Sequence, residues 1–152
     1  MSVAHAAARH VTNRATAILL YDGSCGFCAE SVQFVLRHDH RRRTLRFASL
    51  QGAAGSEVRA RHPELDAIDS VIWYERDADS GRELVLVRSS AVLRVLRYLG
   101  GVWRLLAWLG ALVPRVLRDR VYDFIARHRH ALVRGAPVCV VPAADQRERF
   151  VD

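Results

Sequence analysis

ILLYDGSCGFCAES, spanning Ile18 to Ser31, changes period halfway along, and that change decides the fold. Its first half is a short aliphatic run stopped by Asp22-Gly23, the pattern of a buried strand closed by a turn. From Cys28 onward the apolar residues Cys28, Val32, Val35 and Leu36 fall on one face of a helix. That helix runs out into RHDHRRR, where Arg41 to Arg43 suit the negative end of its dipole. A strand therefore hands the chain to a helix whose first turn carries Cys25 and Cys28.

Working outward, TLRFASL (Thr44 to Leu50) alternates Leu45 and Phe47 with Arg46 and Ala48, and reads as a second strand. Strand, helix and strand with short links form a βαβ unit and imply a parallel pair. A short helix around Ser56 to Arg61 leads through Pro63 to the strand SVIWYE (Ser70 to Glu75). RDADSGR is a hairpin turn, and ELVLV (Glu83 to Val87) returns antiparallel. Ser89 or Ser90 is placed to cap the next helix, whose stripe is Val92, Val95, Leu96 and Leu99 and which Gly100-Gly101 stops. The order β-α-β-α-β-β-α is that of an α/β protein with a thioredoxin-like core, its central helix opening at the CxxC pair.

The rest reads as added helix from about residue 101. VWRLLAWLGALVP is apolar on nearly every side and too short to span a bilayer, so burial between protein elements is expected. The competing reading is shallow, weak membrane contact through Trp103, Arg104 and Trp108. RDRVYDFIARHRHAL follows, with Val121, Phe124, Ile125 and His128 on one face and arginines opposite. Residues 1–16, basic and without an apolar core, read as a disordered tail, and 17–152 as one domain.

The 152 residues carry a formal charge of +7, and every basic residue is arginine. Such a balance favours anionic partners. No aromatic-interleaved basic stripe accompanies it, so nucleic-acid binding is set aside. Three cysteines are too few for a disulfide scaffold, and no secretory h-region is visible. The expectation is a cytoplasmic monomer, in a reducing compartment where a CxxC pair serves catalysis or metal binding.

A free thiol with a pKa near 8.5 is only about 3% thiolate at pH 7, and the thiolate is the nucleophile. A cysteine at a helix N-terminus gains from unpaired amides and the positive dipole end, lowering its pKa by about one unit. Cys25, partly exposed at the helix start, is thus read as the nucleophile, and Cys28, one turn in on the apolar face, as the resolving thiol. Asp22 at the strand end either exchanges a proton with Cys28 or simply builds the turn. The rival chemistry is a zinc site or scaffold using Cys25, Cys28 and Cys139 or the histidines of His38-x-His40 and His128-x-His130, although no second CxxC appears.

YDGSCGFC, with Asp22, Cys25 and Cys28 in order, resembles the DCC family of predicted thiol-disulfide oxidoreductases, named for an Asp-Cys-Cys signature. Later segments are similar too: DSVIWYE, RSSAVLRVLRYLGG, and a Y-x-x-x-A-x-x-R helix met by Tyr122, Ala126 and Arg129, then Cys139 and Pro142 near the end. The resemblance implies disulfide exchange on a thioredoxin-like fold, with a thiol or disulfide as substrate and no bound cofactor. Catalysis then falls to Cys25, Cys28 and Asp22, and substrate contact to Tyr21 and Ser70. Ordinary thioredoxins place a cis-proline before the third core strand; here Asp69-Ser70 stands at that point. For Tyr122 and Arg129 the reading favours locking the last helix onto the sheet over a place in the dithiol pocket. Cys139 is either a third redox partner or part of a buried extended segment.

Overall fold

The computed structural model describes residues 16–40, 44–132 and 142–151. Cys139, the arginines Arg41 to Arg43 and the proposed N-terminal tail up to residue 15 lie outside them. The elements run β1 (Thr16–Tyr21), α1 (Gly26–His38), β2 (Arg46–Ser49), α2 (Ala53–Arg61), β3 (Ile72–Arg76), β4 (Glu83–Val87), α3 (Arg88–Leu99), α4 (Gly101–Leu112) and α5 (Arg115–Leu132). Single 3₁₀ turns occupy Pro63–Leu65 and Arg147–Arg149.

The sheet order is β2-β1-β3-β4. β1 and β2 run parallel with Tyr21 opposite Ser49, whereas β1–β3 and β3–β4 are antiparallel. This is the arrangement of a thioredoxin-like core. The parallel pair is the consequence of the α1 crossover, and it brings the C-terminal ends of β1 and β2 side by side. Asp22 and Gln51 each follow one of those ends.

Both sheet faces are covered, which is why β1 is apolar almost throughout. Leu19, Tyr21, Leu45, Phe47 and Trp73 pack under α1 and α3 with Val32, Val35, Leu36 and Val95. Leu20, Ala48, Ile72 and Tyr74 pack on the other face with Val58 and Leu65. Ala48 is therefore core, not the outward position that simple alternation gives it, because α2 lies over that side. Gly55 permits this close approach: a Cβ there would stand 2.4 Å from the Ser49 carbonyl oxygen and 2.6 Å from that of Leu50.

Three local expectations need correction. The third helix starts at Arg88, and neither Ser89 nor Ser90 caps it; Ser89 is buried and donates instead to Asp119. Val92, placed on its inward stripe, is exposed, while Ala91 and Val95 face the core. The largest difference concerns α4. It lies along α3 with Gly110 against Leu93 and Ala107 buried, and its Trp103 ring meets Phe34 and His38 of α1 edge-on. Its remaining apolar residues are not buried between elements: Trp108 is 65% exposed and Leu112 69%. Gly100, at φ +74°, turns the chain so sharply that α4 folds back on α3 instead of reaching the sheet.

Candidate active site

The site forms where β1 ends. Asp22, Gly23 and Ser24 make a turn in which the Cys25 amide donates to the Asp22 carbonyl, at 3.2 Å. Cys25 is then the N-cap residue of α1, with extended backbone angles and no side-chain cap bond. Its carbonyl accepts from the Ala29 amide, which places Cys25 at the first turn of the helix, where the amides have no partner within the helix. Cys28 is one turn further on, and the two free thiols are in hydrogen-bonding contact. The partly exposed Cys25 expected from sequence is not observed: Cys25 is 3% exposed and Cys28 5%.

Burial pushes the Cys28 thiol up to about 12, helped by its contact with Cys25 and opposed by the Arg129 guanidinium and the Asp22 backbone amide. A thiol of that acidity does not supply the attacking thiolate near neutral pH.

Asp22 is tightly held. Its Oδ1 accepts from the Ser24 amide (3.0 Å), the Ser24 hydroxyl (2.7 Å) and Gln51 Nε2 (3.1 Å). Its Oδ2 stands 3.6 Å from Arg129 Nη2. Burial opposes the charged form, but these hydrogen bonds and the arginine outweigh it, and the carboxyl sits below its usual 3.8. Gln51 is itself locked, its Oε1 accepting from the Ser49 hydroxyl (2.7 Å) and the Gly23 amide (3.2 Å).

The opposite wall comes from α5 and the start of β3. The Tyr122 hydroxyl accepts from the Val71 amide at 3.3 Å. Burial raises its pKa against the hydrogen bonds of Val71 and Ser70, and the Cys28 thiol adds to the rise. Arg129 donates to the Asp69 carbonyl at 3.3 Å and lies 3.6 Å from both the Asp69 and the Asp22 carboxylates. Ser70 is buried at this wall, its Oγ without a hydrogen-bond partner of good geometry. Tyr21 lies in the core under the same end of α1. Asp69, Arg129 and Asp123 also border an open hollow of about 540 Å³ that neither cysteine lines.

Tyr122 and Arg129 hold the last helix against the start of β3, and both lie within electrostatic reach of Cys28. α5 docks through Asp119, Tyr122 and Arg129, the reverse of the usual apolar-inward rule, and turns Val121, Phe124 and Ile125 outward. Sequence reasoning missed Gln51 and Ser24. Ser24 was findable as the i+2 partner of an Asp turn. Gln51 was findable because the residue after a strand meets its counterpart after the parallel neighbour. Among the described residues no group of three or more His, Cys, Asp or Glu is placed to hold a metal ion. His38 and His128 instead use Nδ1 on the carbonyls of Phe34 and Phe124 in their own helices. No described helix is long and apolar enough to cross a membrane.

The chain is similar to known proteins over most of its length. YuxK of Bacillus subtilis, an uncharacterized protein, is 33% identical over 135 residues, covering 88% of this chain and 93% of YuxK. A chloroplastic DCC family protein of Arabidopsis thaliana is 33% identical over 123 residues, covering 80% of this chain and 67% of the relative. No solved structure matches. The family description "DCC1-like thiol-disulfide oxidoreductase" matches residues 19–135, a span that includes both cysteines, Asp22, Ser70, Tyr122 and Arg129, and the chain belongs to that family.

Proposed function

We propose that this protein is a thiol-disulfide oxidoreductase in which Cys25 and Cys28 cycle between dithiol and disulfide. The observation that carries the reading is their placement: two free thiols in contact, one at the N-cap of α1 and one a turn inside it, beside Arg129. In the reducing direction, Cys25 as thiolate attacks a substrate disulfide, forms a mixed disulfide and releases one substrate thiolate. Cys28 then gives its proton to that thiolate or to water and attacks the Cys25 sulfur. The second substrate thiolate leaves, the protein retains a Cys25–Cys28 disulfide, and two electrons have passed to the substrate. The oxidising direction is the same sequence reversed.

Arg129 stabilises the Cys28 thiolate as it forms, since its charge already works against the burial that keeps that thiol protonated. Asp22, held as a carboxylate, is assigned to positioning Arg129; so acidic a group is a weak proton acceptor. Ser70, its buried hydroxyl beside that of Tyr122, and Tyr21 are the substrate-side candidates. With no proline at Asp69-Ser70, the backbone contact that a cis-proline offers a polypeptide substrate has no counterpart there. A reducing cytosol, where such a pair rests as the dithiol, is the compartment of this activity.

The test is a redox titration in glutathione buffers, read by alkylation and intact mass. Cys25 and Cys28 are expected to interconvert as a pair at one potential. Cys28→Ser should trap a mixed disulfide on Cys25, and Cys25→Ser should abolish exchange. Protection of both thiols until a chelator is added would overturn the oxidoreductase reading in favour of metal binding.

A further inference from the structure

The face that α4 and α5 turn outward is unusual for a protein surface. Val102, Leu105, Leu109 and Leu112 of α4 are each more than half exposed, as are Leu117 and Phe124 of α5. Exposed apolar surface on this scale marks an interaction site. Between α3 and α5 it dips into a groove of about 430 Å³ lined by Val92, Leu93, Val113, Leu117 and Val121. Arg118 lines the same groove, and its Nε and Nη1 are buried without an acceptor.

The charges on these helices are of one sign where they are free. Asp119 and Asp123 are engaged by Arg115 and Arg88. Among the described residues Arg104, Arg120 and Arg127 pair with no carboxylate. A symmetric contact with a second copy would bring these unpaired arginines together with no free carboxylate on these helices to meet them, at an electrostatic cost. An anionic lipid surface accepts both features together: apolar side chains enter the headgroup boundary, Trp108 prefers that depth, and arginine stems extend to the phosphates. The groove between α3 and α5 then takes the upper part of an acyl chain.

We infer that the α4–α5 face is a membrane-docking surface for anionic phospholipid, holding the protein peripherally with no spanning segment. The inference stands independently of the redox chemistry, because the outward residues are not those of the dithiol site.

Flotation of the full-length reduced protein with phosphatidylcholine vesicles, with and without phosphatidylglycerol, tests it. Binding is expected only when phosphatidylglycerol is present, with a blue shift of tryptophan emission. Exchanging Arg104, Arg120 and Arg127 together for Gln should weaken binding about a hundredfold, at roughly fivefold per surface arginine. Trp108→Ser with Phe124→Ser should abolish it while leaving exchange of a small disulfide unchanged; both sites are so exposed that the fold is retained. No flotation with either vesicle overturns the inference, and so does equal binding to both. A self-associated species in sedimentation velocity, dispersed by the Trp108 and Phe124 changes, would assign the face to a second copy and overturn it too.

Discussion

Asp22 gathers more partners than a turn residue needs. An Asx turn uses one oxygen and one or two nearby donors, and here Ser24 supplies them. Gln51 and Arg129 then arrive from 29 and 107 positions away in sequence, which turn chemistry does not require. Because the folded carboxyl is more acidic than its ordinary value of 3.8, its contribution to stability is fully present above that pH and is lost as pH falls through the folded value. Asp22→Asn should therefore cost roughly 1–2 kcal/mol at neutral pH, a difference from the parent that shrinks below about pH 4, as denaturant unfolding across pH would record. The same variant should move the pH profile of mixed-disulfide resolution upward, since Arg129 loses an anchor beside Cys28; a residue serving only the turn would leave that profile in place. At this scale Cys25, Cys28 and Asp22 were legible, because spacing and position relative to a strand and a helix start are local facts. The burial of Cys25 was not legible, since it depends on the packing around the end of α1.

Among the elements, the strands and α1 follow their apolar periods closely, and the βαβ unit and hairpin could be read directly. β1 and β3 are apolar because two layers cover them, and the turn at Asp77 closes through hydrogen bonds from Ser80 and Asp79. α2 was legible only in part, for its starting residues are small and its docking rests on backbone proximity instead of an apolar stripe. Gly55→Ala tests that account. The added methyl meets two backbone carbonyl oxygens that cannot rotate away, so α2 must shift. A loss of at least about 2 kcal/mol, or roughly 5 °C in Tm, is expected from thermal unfolding. α4 reversed the sequence expectation because hydrophobic patterning assigns apolar residues inward. In α5 the inward face is chosen by specific polar contacts, Asp119 to Ser89 and Arg129 to Asp22, which no periodicity reports.

On the scale of the whole molecule, the C-terminal turn is tied to the end of α1 through a buried pair. Arg149 Nη2 lies 2.7 Å from Asp39 Oδ2, its Nε donates to the Leu45 carbonyl, and its guanidinium covers the Phe47 ring at 5.1 Å. Tyr98 donates to the same Asp39 oxygen at 2.6 Å. Beside this knot, the Val151 amide donates to the Phe47 carbonyl and Phe150 lies against Phe47, joining the C-terminal turn to β2. Arg149→Met should remove the guanidinium that Asp39 and the Leu45 carbonyl share and cost about 3 kcal/mol in denaturant unfolding, with part of that recovered when Asp39→Asn is added. Nothing in the sequence marks Asp39 and Arg149 as partners, because 110 positions separate them and either one alone reads as a surface charge. The inverted seating of α5 has a different consequence. A helix fastened by a few polar contacts, with its oily side facing out, gains little from burial and is expected to open more readily than α1 or the strands. Tyr122 and Arg129 would leave with it. The two sulfurs, buried with α5 seated, would come within reach of a partner were it to lift. Reactivity toward other disulfides would then be governed by a hinge at Val113-Pro114 as much as by the acidity of a thiol.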